Sequence, residues 1–392
     1  MNEGENEPRS SRNTRQNTSI RLTVSMLGIG IGTTLFAYAA FATITGTAND
    51  RSSIRQVIFV FRHGERTPTE TYPNDPYLDY KWQGGWGALT KEGMLRMYNV
   101  GQWIRNEYGW LIGNKYEANL SLTQSSYADR CIMSAQALLA ALFPPTAEEI
   151  FVPGLAWRPI PVHSTPRNLD KTIVVKYPCP RLEEALKEAY VNESMRPGAI
   201  PANYYQELSN YTGQNMTTIT DVEFLYNTLE IEEQNGLKLP EWTKTYYNEQ
   251  MREIAARSLA IFTSNTLQQR LRGGPLLKEI LEHMSKNSKR TYLYSVHDIT
   301  LVNLLRTMGF TSEYFKPEYG ATLIFQLHAV SNVDSADTEN TQELKLIYLN
   351  GTKSIEPYYM NIPKCGTPCL LKTLMKLWEN VLPDNWDNEC LL

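Results

Sequence analysis

The chain has no basic surplus: its 38 Lys and Arg residues face 42 Asp and Glu, giving a formal net charge of -4 and a pI near 5.9. Nucleic-acid binding therefore has no electrostatic footing, and any phosphate the chain recognises must be met by a local cluster of arginines. No internal repeat and no low-complexity tract occur beyond the N-terminal tail. The histidines form no His-Glu-x-x-His pattern and no cluster with Asp ligands, which argues against a metal centre. Gly273-Gly274 lacks the lysine and the surroundings of a nucleotide-binding loop, so no cofactor is expected. What remains is a chain of 392 residues, 42% hydrophobic, able to bury a full core as two domains or as one large domain with an insertion.

The first 50 residues differ from the rest. Residues 1–21 are polar, with Glu3, Glu5 and Glu7 followed by Arg9, Arg12, Arg15 and Arg21, and read as a disordered cytoplasmic tail. Residues 22–44 carry no charge, and 23 such residues suffice to cross a bilayer as a helix. Arginines on the N-terminal side predict a cytoplasmic N-terminus and a lumenal or extracellular body, so a single-pass signal-anchor leads. The rival is a signal peptide cleaved near the small residues Gly46 and Ala48, which would leave a secreted or lysosomal protein. Sequons at Asn119, Asn192, Asn210, Asn215 and Asn350 agree with an extracytoplasmic address.

Five cysteines in an oxidising compartment leave one thiol over. Cys131 sits in an apolar helical stretch and is expected to stay reduced and buried. Cys365 and Cys369 flank the short loop Gly366-Thr367-Pro368, whose ends could close into a disulfide. Cys179 and Cys390 then pair by elimination. Zinc at Cys365-x-x-x-Cys369 is the rival, weakened because no second Cys or His pair stands nearby.

Gln56 to Phe61 reads as a strand buried on both faces. Thr90 is placed to N-cap an amphipathic helix reaching about Tyr108, and a second helix runs from about Asp129 until Pro144-Pro145 stops it. Between about 166 and 274 the pattern is helical and polar, with helices over Pro180 to Glu193, Asp221 to Glu233 and Trp242 to Phe262. Strands resume at Thr291 to Val296, Thr322 to Leu327 and Leu344 to Leu349. The pattern predicts an α/β fold: a mixed, mainly parallel sheet flanked by helices, built from 51–165 and 275–392, with 166–274 inserted as a helical cap.

The segment Arg62-His63-Gly64-Glu65-Arg66-Thr67-Pro68 begins where the first strand ends, the place where open α/β sheets put their ligands. A histidine between two arginines is a poor core filler. A bound dianion among the guanidiniums explains it, and Gly64 would let the backbone turn closely around that group. A neutral imidazole of His63 could then attack phosphorus and form a phosphohistidine. His297-Asp298 ends the strand Thr291 to Val296, so parallel, neighbouring strands would bring His63 and His297 into one crevice. There His297 can donate to a phosphoryl oxygen. Asp298, its pKa raised beside negative phosphate, can protonate the leaving oxygen, which would favour acid pH. His283 looks like a helix-surface residue and His328 ends a strand; neither is assigned to the site.

These residues resemble the histidine acid phosphatases, of the animal prostatic and lysosomal type, over nearly all of Gln56 to Leu392. The likeness also rests on Gly85 to Thr90, Leu142 to Pro145, Trp157 to His163 and Ser295 to Asp298. It implies a nucleophile at His63, phosphate binding by Arg62, Arg66, Arg130 and His297, and a proton donor at Asp298. It implies the same two disulfides, and a homodimer with Trp157 and His163 near the contact. Gln124-Ser125-Ser126-Tyr127 departs from the Arg-Ser-Thr-Asp common in the family, which bears on local charge and substrate preference. Glu65 and Ile299 replace a common Asp and a common Thr. The activity so implied is hydrolysis of small phosphomonoesters. Its rivals are a catalytically silent binding protein, which should have lost His63 or Asp298, and a mutase-type phosphoryl transferase.

Overall fold

The computed structural model describes residues 51–330, 342–351 and 355–391. The expected tail and apolar segment, 1–44, lie outside these residues. Residues Ala48–Leu392 form one compact unit.

Strand β1 (Ile54–Arg62) is buried continuously from Gln56 onward. Helix α1 (Lys91–Ile112) starts where the Thr90 hydroxyl accepts the Gly93 N–H at 3.1 Å, satisfying one of the amides a helix start leaves open. Strand β2 (Ser121–Ser125) leads into α2 (Asp129–Leu142), which ends ahead of Pro144-Pro145. The two-residue β3 (His163–Ser164) precedes the helices α3 (Pro180–Met195), α4 (Ala202–Thr212), α5 (Ile219–Gln234), α6 (Thr243–Tyr246), α7 (Glu249–Ala260) and α8 (Thr266–Gln268). A π-helical stretch, Gln269–Gly273, joins them to α9 (Gly274–Lys286). Then follow β4 (Thr291–Val296), α10 (Asp298–Thr307), β5 (Thr322–Ala329), β6 (Gln342–Leu349), β7 (Pro357–Met360), α11 (Leu371–Leu377) and α12 (Trp386–Glu389).

The strands of the described residues form one seven-stranded sheet in the order β3-β2-β4-β1-β5-β6-β7. The first four are mutually parallel, while β5, β6 and β7 add on antiparallel. Side chains alternate across the sheet with period two. Ile58, Val60, Tyr292, Tyr294, Leu323 and Phe325 pack under α9, α10 and α11. Val57, Phe59, Phe61, Leu293 and Ile324 pack on the other face under α1 and α2. Each such fully buried aliphatic or aromatic side chain contributes roughly 1.5–3 kcal/mol of transfer free energy, which pins the register that places the strand ends. The helices between 166 and 274 surround their own apolar cluster, which includes Leu208, Val222, Leu229, Met251 and Ile254 and takes in Tyr72 from the loop after β1.

Two local readings need correction. The helix expected over Trp242 to Phe262 is broken, because Asn248 takes an extended conformation and its side chain accepts the Met251 N–H, starting α7 afresh. His283 is half-buried, its ring stacked on Tyr292 at 3.7 Å between centroids, since the apolar face of α9 turns in against the sheet.

Candidate active site

The register brings three strand ends to within one residue of level. Arg62 pairs with Val296 and Ser125 with Ser295, so His63, Ser126 and His297 are each the next residue out at the C-terminal ends of parallel strands. Backbone bonds hold His63 on both sides: its N–H donates to Val296 O at 3.1 Å, and its carbonyl accepts the Gly320 N–H at 3.2 Å. Gly64 is required for a different reason from the one expected. A side chain there would drive into the backbone of Gly93, so its absence lets the loop lie against the start of α1.

The His63 ring has a defined tautomer. Its Nδ1 is 2.8 Å from the Gly64 carbonyl, which can only accept, so Nδ1 carries the proton and Nε2 keeps its lone pair. That lone pair accepts from Arg130 Nε at 3.2 Å. Burial, reinforced by Arg130, Arg62, His297 and Arg66, holds the imidazole pKa well below its usual value. The ring is therefore neutral across the physiological range. His297 stands edge-on to it with centroids 5.5 Å apart. Its Nε2 is 2.8 Å from Ser126 Oγ and its Nδ1 3.3 Å from Arg130 Nη2. Burial and then Arg130 outweigh the opposing pull of Asp298 and lower its pKa to about 3.

Three guanidiniums surround the two rings. Arg62 is almost fully buried, donates to the Pro317 carbonyl at 2.6 Å, pairs with Asp298 Oδ2 at 2.7 Å, and lies 4.0 Å over the Tyr319 ring. Arg66 donates to the carbonyl of Thr67, and the Thr67 hydroxyl in turn donates to Gly85 O, bracing the loop 85–90 against the motif. Arg130 comes from the first turn of α2; burial and the neighbouring Arg66 both lower its affinity for its proton. Three guanidiniums against the single carboxylate of Asp298 leave two positive charges around a neutral imidazole.

The expectation of a raised Asp298 pKa meets a different starting point. Burial pushes this carboxyl up, but Arg62, Lys316, His297 and the Ile299 N–H at 2.8 Å together pull it well below the usual carboxylate range. The site by itself holds a carboxylate at this position, and only an arriving anion could reverse that balance.

Several partners had no signal in the sequence. Tyr319 and Pro317 precede β5 without any motif, and Ser126, noted only as part of a departure, is the residue that orients His297. Cys131 is buried with its sulfur 3.7 Å from His297 Nε2, and burial pushes its thiol up to about 12. Glu65 pairs with Arg96, away from the imidazoles. Among the described residues, no group of three His, Cys, Asp or Glu side chains could hold a metal ion.

The other candidate residues lie elsewhere. Disulfides join Cys179 to Cys390, 211 residues apart in sequence, and Cys365 to Cys369. Asn119, Asn192, Asn210, Asn215 and Asn350 are all exposed. Trp157 and His163 are exposed near the β3 edge of the sheet.

Known proteins resemble this chain in sequence and in fold. The Histidine phosphatase superfamily (branch 2) matches residues 53–348. Lysosomal acid phosphatase of Homo sapiens is 33% identical over 354 residues, covering 87% of this chain and 81% of that protein. Prostatic acid phosphatase of Homo sapiens is 31% identical over 351 residues, covering 86% and 88%. Among solved structures, the apo phytase of Hafnia alvei superposes with a TM-score of 0.64 at 14% identity, over 87% of this chain and 98% of that one, a likeness of fold. The chain belongs to the histidine phosphatase superfamily, branch 2.

Proposed function

We propose that this protein is an acid phosphatase that hydrolyses small phosphomonoesters in two steps through His63. The observation that carries this reading is a neutral imidazole whose unprotonated Nε2 faces the Arg130 guanidinium, inside a cage with two uncompensated positive charges. Arg62, Arg66, Arg130 and His297 hold the phosphoryl oxygens. Nε2 forms the bond to phosphorus while the bond to the leaving oxygen breaks and takes a proton from the Asp298 carboxyl group. Water then adds to phosphorus as the P–N bond breaks, its proton returning to Asp298, and phosphate departs from a neutral His63.

Asp298 acquires that proton from the substrate's own chemistry. A phosphomonoester has a second pKa of about 6, so below it the substrate enters as a monoanion carrying a proton. Once phosphate oxygens occupy the guanidiniums, Arg62 no longer serves Asp298 alone, and the carboxyl group faces a second negative charge. Both changes raise its pKa, which predicts activity favoured by acid pH.

An alkaline denaturing quench during turnover of labelled p-nitrophenyl phosphate at about pH 5 should trap a phosphoryl group on His63 that survives alkali and is lost in acid, with free phosphate as product. Absence of labelled enzyme, transfer of phosphate to another carbon of the same substrate, or full loss of activity with EDTA would each overturn this mechanism.

The helices of 166–274 act as a cap over the leaving-group side. Lys316, next to Pro317, pairs with Glu230 of α5 at 2.7 Å, linking that segment to the Arg62 clamp. For localisation, two disulfides and five exposed sequons support an extracytoplasmic body, either held by the 22–44 segment as a single-pass anchor or released to the lysosome or exterior. Among the described residues no helix is long and apolar enough to cross a membrane. Alkaline carbonate extraction of membranes separates the two fates. A homodimer across the β3 edge is supported by the exposed Phe151, Leu155 and Trp157 beside it, and sedimentation of the purified protein tests it.

A further inference from the structure

Asp298 opens α10, and Arg306 stands in its last turn, about 12 Å further along at 1.5 Å per residue. There α3, the end of α7 and α10 line a half-open pocket of about 240 Å³. Arg306 lines it and is only 8% exposed, yet its Nε and Nη1 are buried with no hydrogen-bond partner, and no carboxylate among the described residues pairs with it. Its nearest aromatic companion is the Tyr314 ring, 5.7 Å from the guanidinium carbon. Arg257 lines the same cavity and is also buried. Its Nη2 reaches Glu193 Oε1 at 2.7 Å, while its Nε has no partner. Glu193 is shared with Arg196 at 3.0 Å and Glu253 Oε1 lies 3.9 Å from Arg257 Nη1, so two carboxylates answer two guanidiniums, and Arg306 is left over.

Arg62 shows what a buried guanidinium ordinarily requires in this fold: a carboxylate, a carbonyl and an aromatic face. Arg306 has only the ring and the C-terminal end of α10, whose dipole supplies the equivalent of about half a negative charge. That leaves the Arg306 charge without a carboxylate beside a half-open pocket, its Nε and Nη1 sealed from solvent. A volume of 240 Å³ corresponds to about eight waters at roughly 30 Å³ each, room for one small hydrated oxyanion and below the roughly 300–1,000 Å³ of pockets for drug-sized ligands.

We propose that this cavity is a second anion site, separate from the catalytic cage, which takes an oxyanion the size of inorganic phosphate or sulfate between Arg306 and Arg257. Burial lowers the Arg306 pKa despite the opposing influence of Tyr314, and an anion there would restore it. Asn192, one of the five sequon asparagines, is exposed and lines the same cavity, so the test uses the full chain with its glycans in place.

Calorimetric titration with inorganic phosphate should give two bound equivalents per chain, and Arg306→Gln should retain one. Turnover of p-nitrophenyl phosphate should stay within about twofold of the parent, because Arg306 touches none of the reacting groups. A selenate-soaked crystal of the unaltered protein supplies a readout that needs no variant: anomalous density between the two guanidiniums. A single equivalent below about 10 mM phosphate would overturn the proposal. Selenate density in the crystal without the second equivalent in solution, an adventitious ion only, would overturn it equally. The stoichiometry stands or falls whether or not the cage hydrolyses anything.

Discussion

The catalytic cage and the helical segment above it both bury carboxyl groups, and they treat them in opposite ways. Asp298 is held as a carboxylate because Arg62 pairs with it at 2.7 Å and Lys316 and His297 add to the pull. Glu223 on α5 is as deeply buried but receives only neutral donors, Ser258 Oγ at 2.8 Å and Asn227 Nδ2 at 3.2 Å. Burial and then the charge of Asp298 push it up to about 7. Glu232, one turn further along α5 than Thr228, is pushed to about 8 by burial and by the charge and hydrogen bond of Asp75. Burial alone therefore does not decide the state of an acid in this protein; the presence of a guanidinium does. The cage is built to keep charge and exchange it for a ligand's, whereas Glu223 and Glu232 of α5 are held neutral.

The comparison breaks most severely at His63. Replacing it by alanine should remove the nucleophile and lower kcat for p-nitrophenyl phosphate by at least about 10⁴-fold, since groups that act as a unit lose nearly everything when one is removed. Phosphate should still bind to the three arginines, seen by calorimetry. Next in size is Asp298→Asn. Loss of the proton donor should cut kcat by roughly 10²–10⁴-fold for poor leaving groups and much less for p-nitrophenol, whose anion leaves unaided. The same variant strands the buried Arg62, at a cost of about 3–5 kcal/mol in unfolding free energy. Added phosphate should recover part of that loss in a thermal melt, because it supplies the missing anion. A uniform effect across leaving groups would remove Asp298 from the role of acid.

The cage was more legible than the helical segment, for a physical reason. Its chemistry sits in contiguous runs at the ends of two short apolar strands, so residues 62–68 and 297–298 declare themselves by local pattern, and β1 and β4 bring them together without intermediaries. The partners that complete it were invisible because they arrive from elsewhere: Tyr319 and Pro317 from an irregular stretch before β5, Ser126 from the β2 end. Gly64 was assigned to the right turn for the wrong reason, since its crowding comes from Gly93, 29 positions away in sequence. In the helical segment, the capping box Thr218–Asp221 and Pro180 at the start of α3 fix helix starts locally. Periodicity, however, ran straight through Tyr247-Asn248, where an Asn cap restarts the chain. The two-residue β3 and the short edge strand β7 carry too few residues for alternation to register.

The smallest expected effect tests the helical side of the comparison directly. Glu223 has a folded pKa of about 7 against an ordinary 4.5, so the folded chain holds this proton more tightly than the unfolded one. Below about pH 4.5 both states are protonated and the group contributes no pH dependence. Between about 4.5 and 7 the unfolded chain ionises first, so stability falls as pH rises; above 7 the full penalty, roughly 3 kcal/mol, is in place. Asp298, depressed in the fold, works the other way and loses its contribution only as pH drops below the ordinary carboxylate range. His63 and His297 oppose Glu223 in this window: their folded pKa values are lowered, so below about pH 6.5 the unfolded chain takes their protons first and stability falls as pH drops. Glu223→Gln keeps the shape and the neutral state, so relative to the parent it should gain stability as pH rises from about 5 to 7 and leave the acid limb, set by Asp298, His63 and His297, unchanged. Denaturant unfolding at a series of pH values reads both limbs at once. A Gln variant with the same slope as the parent between about pH 5 and pH 8 would show that Glu223 is ionised in the fold and that the contrast with Asp298 does not exist.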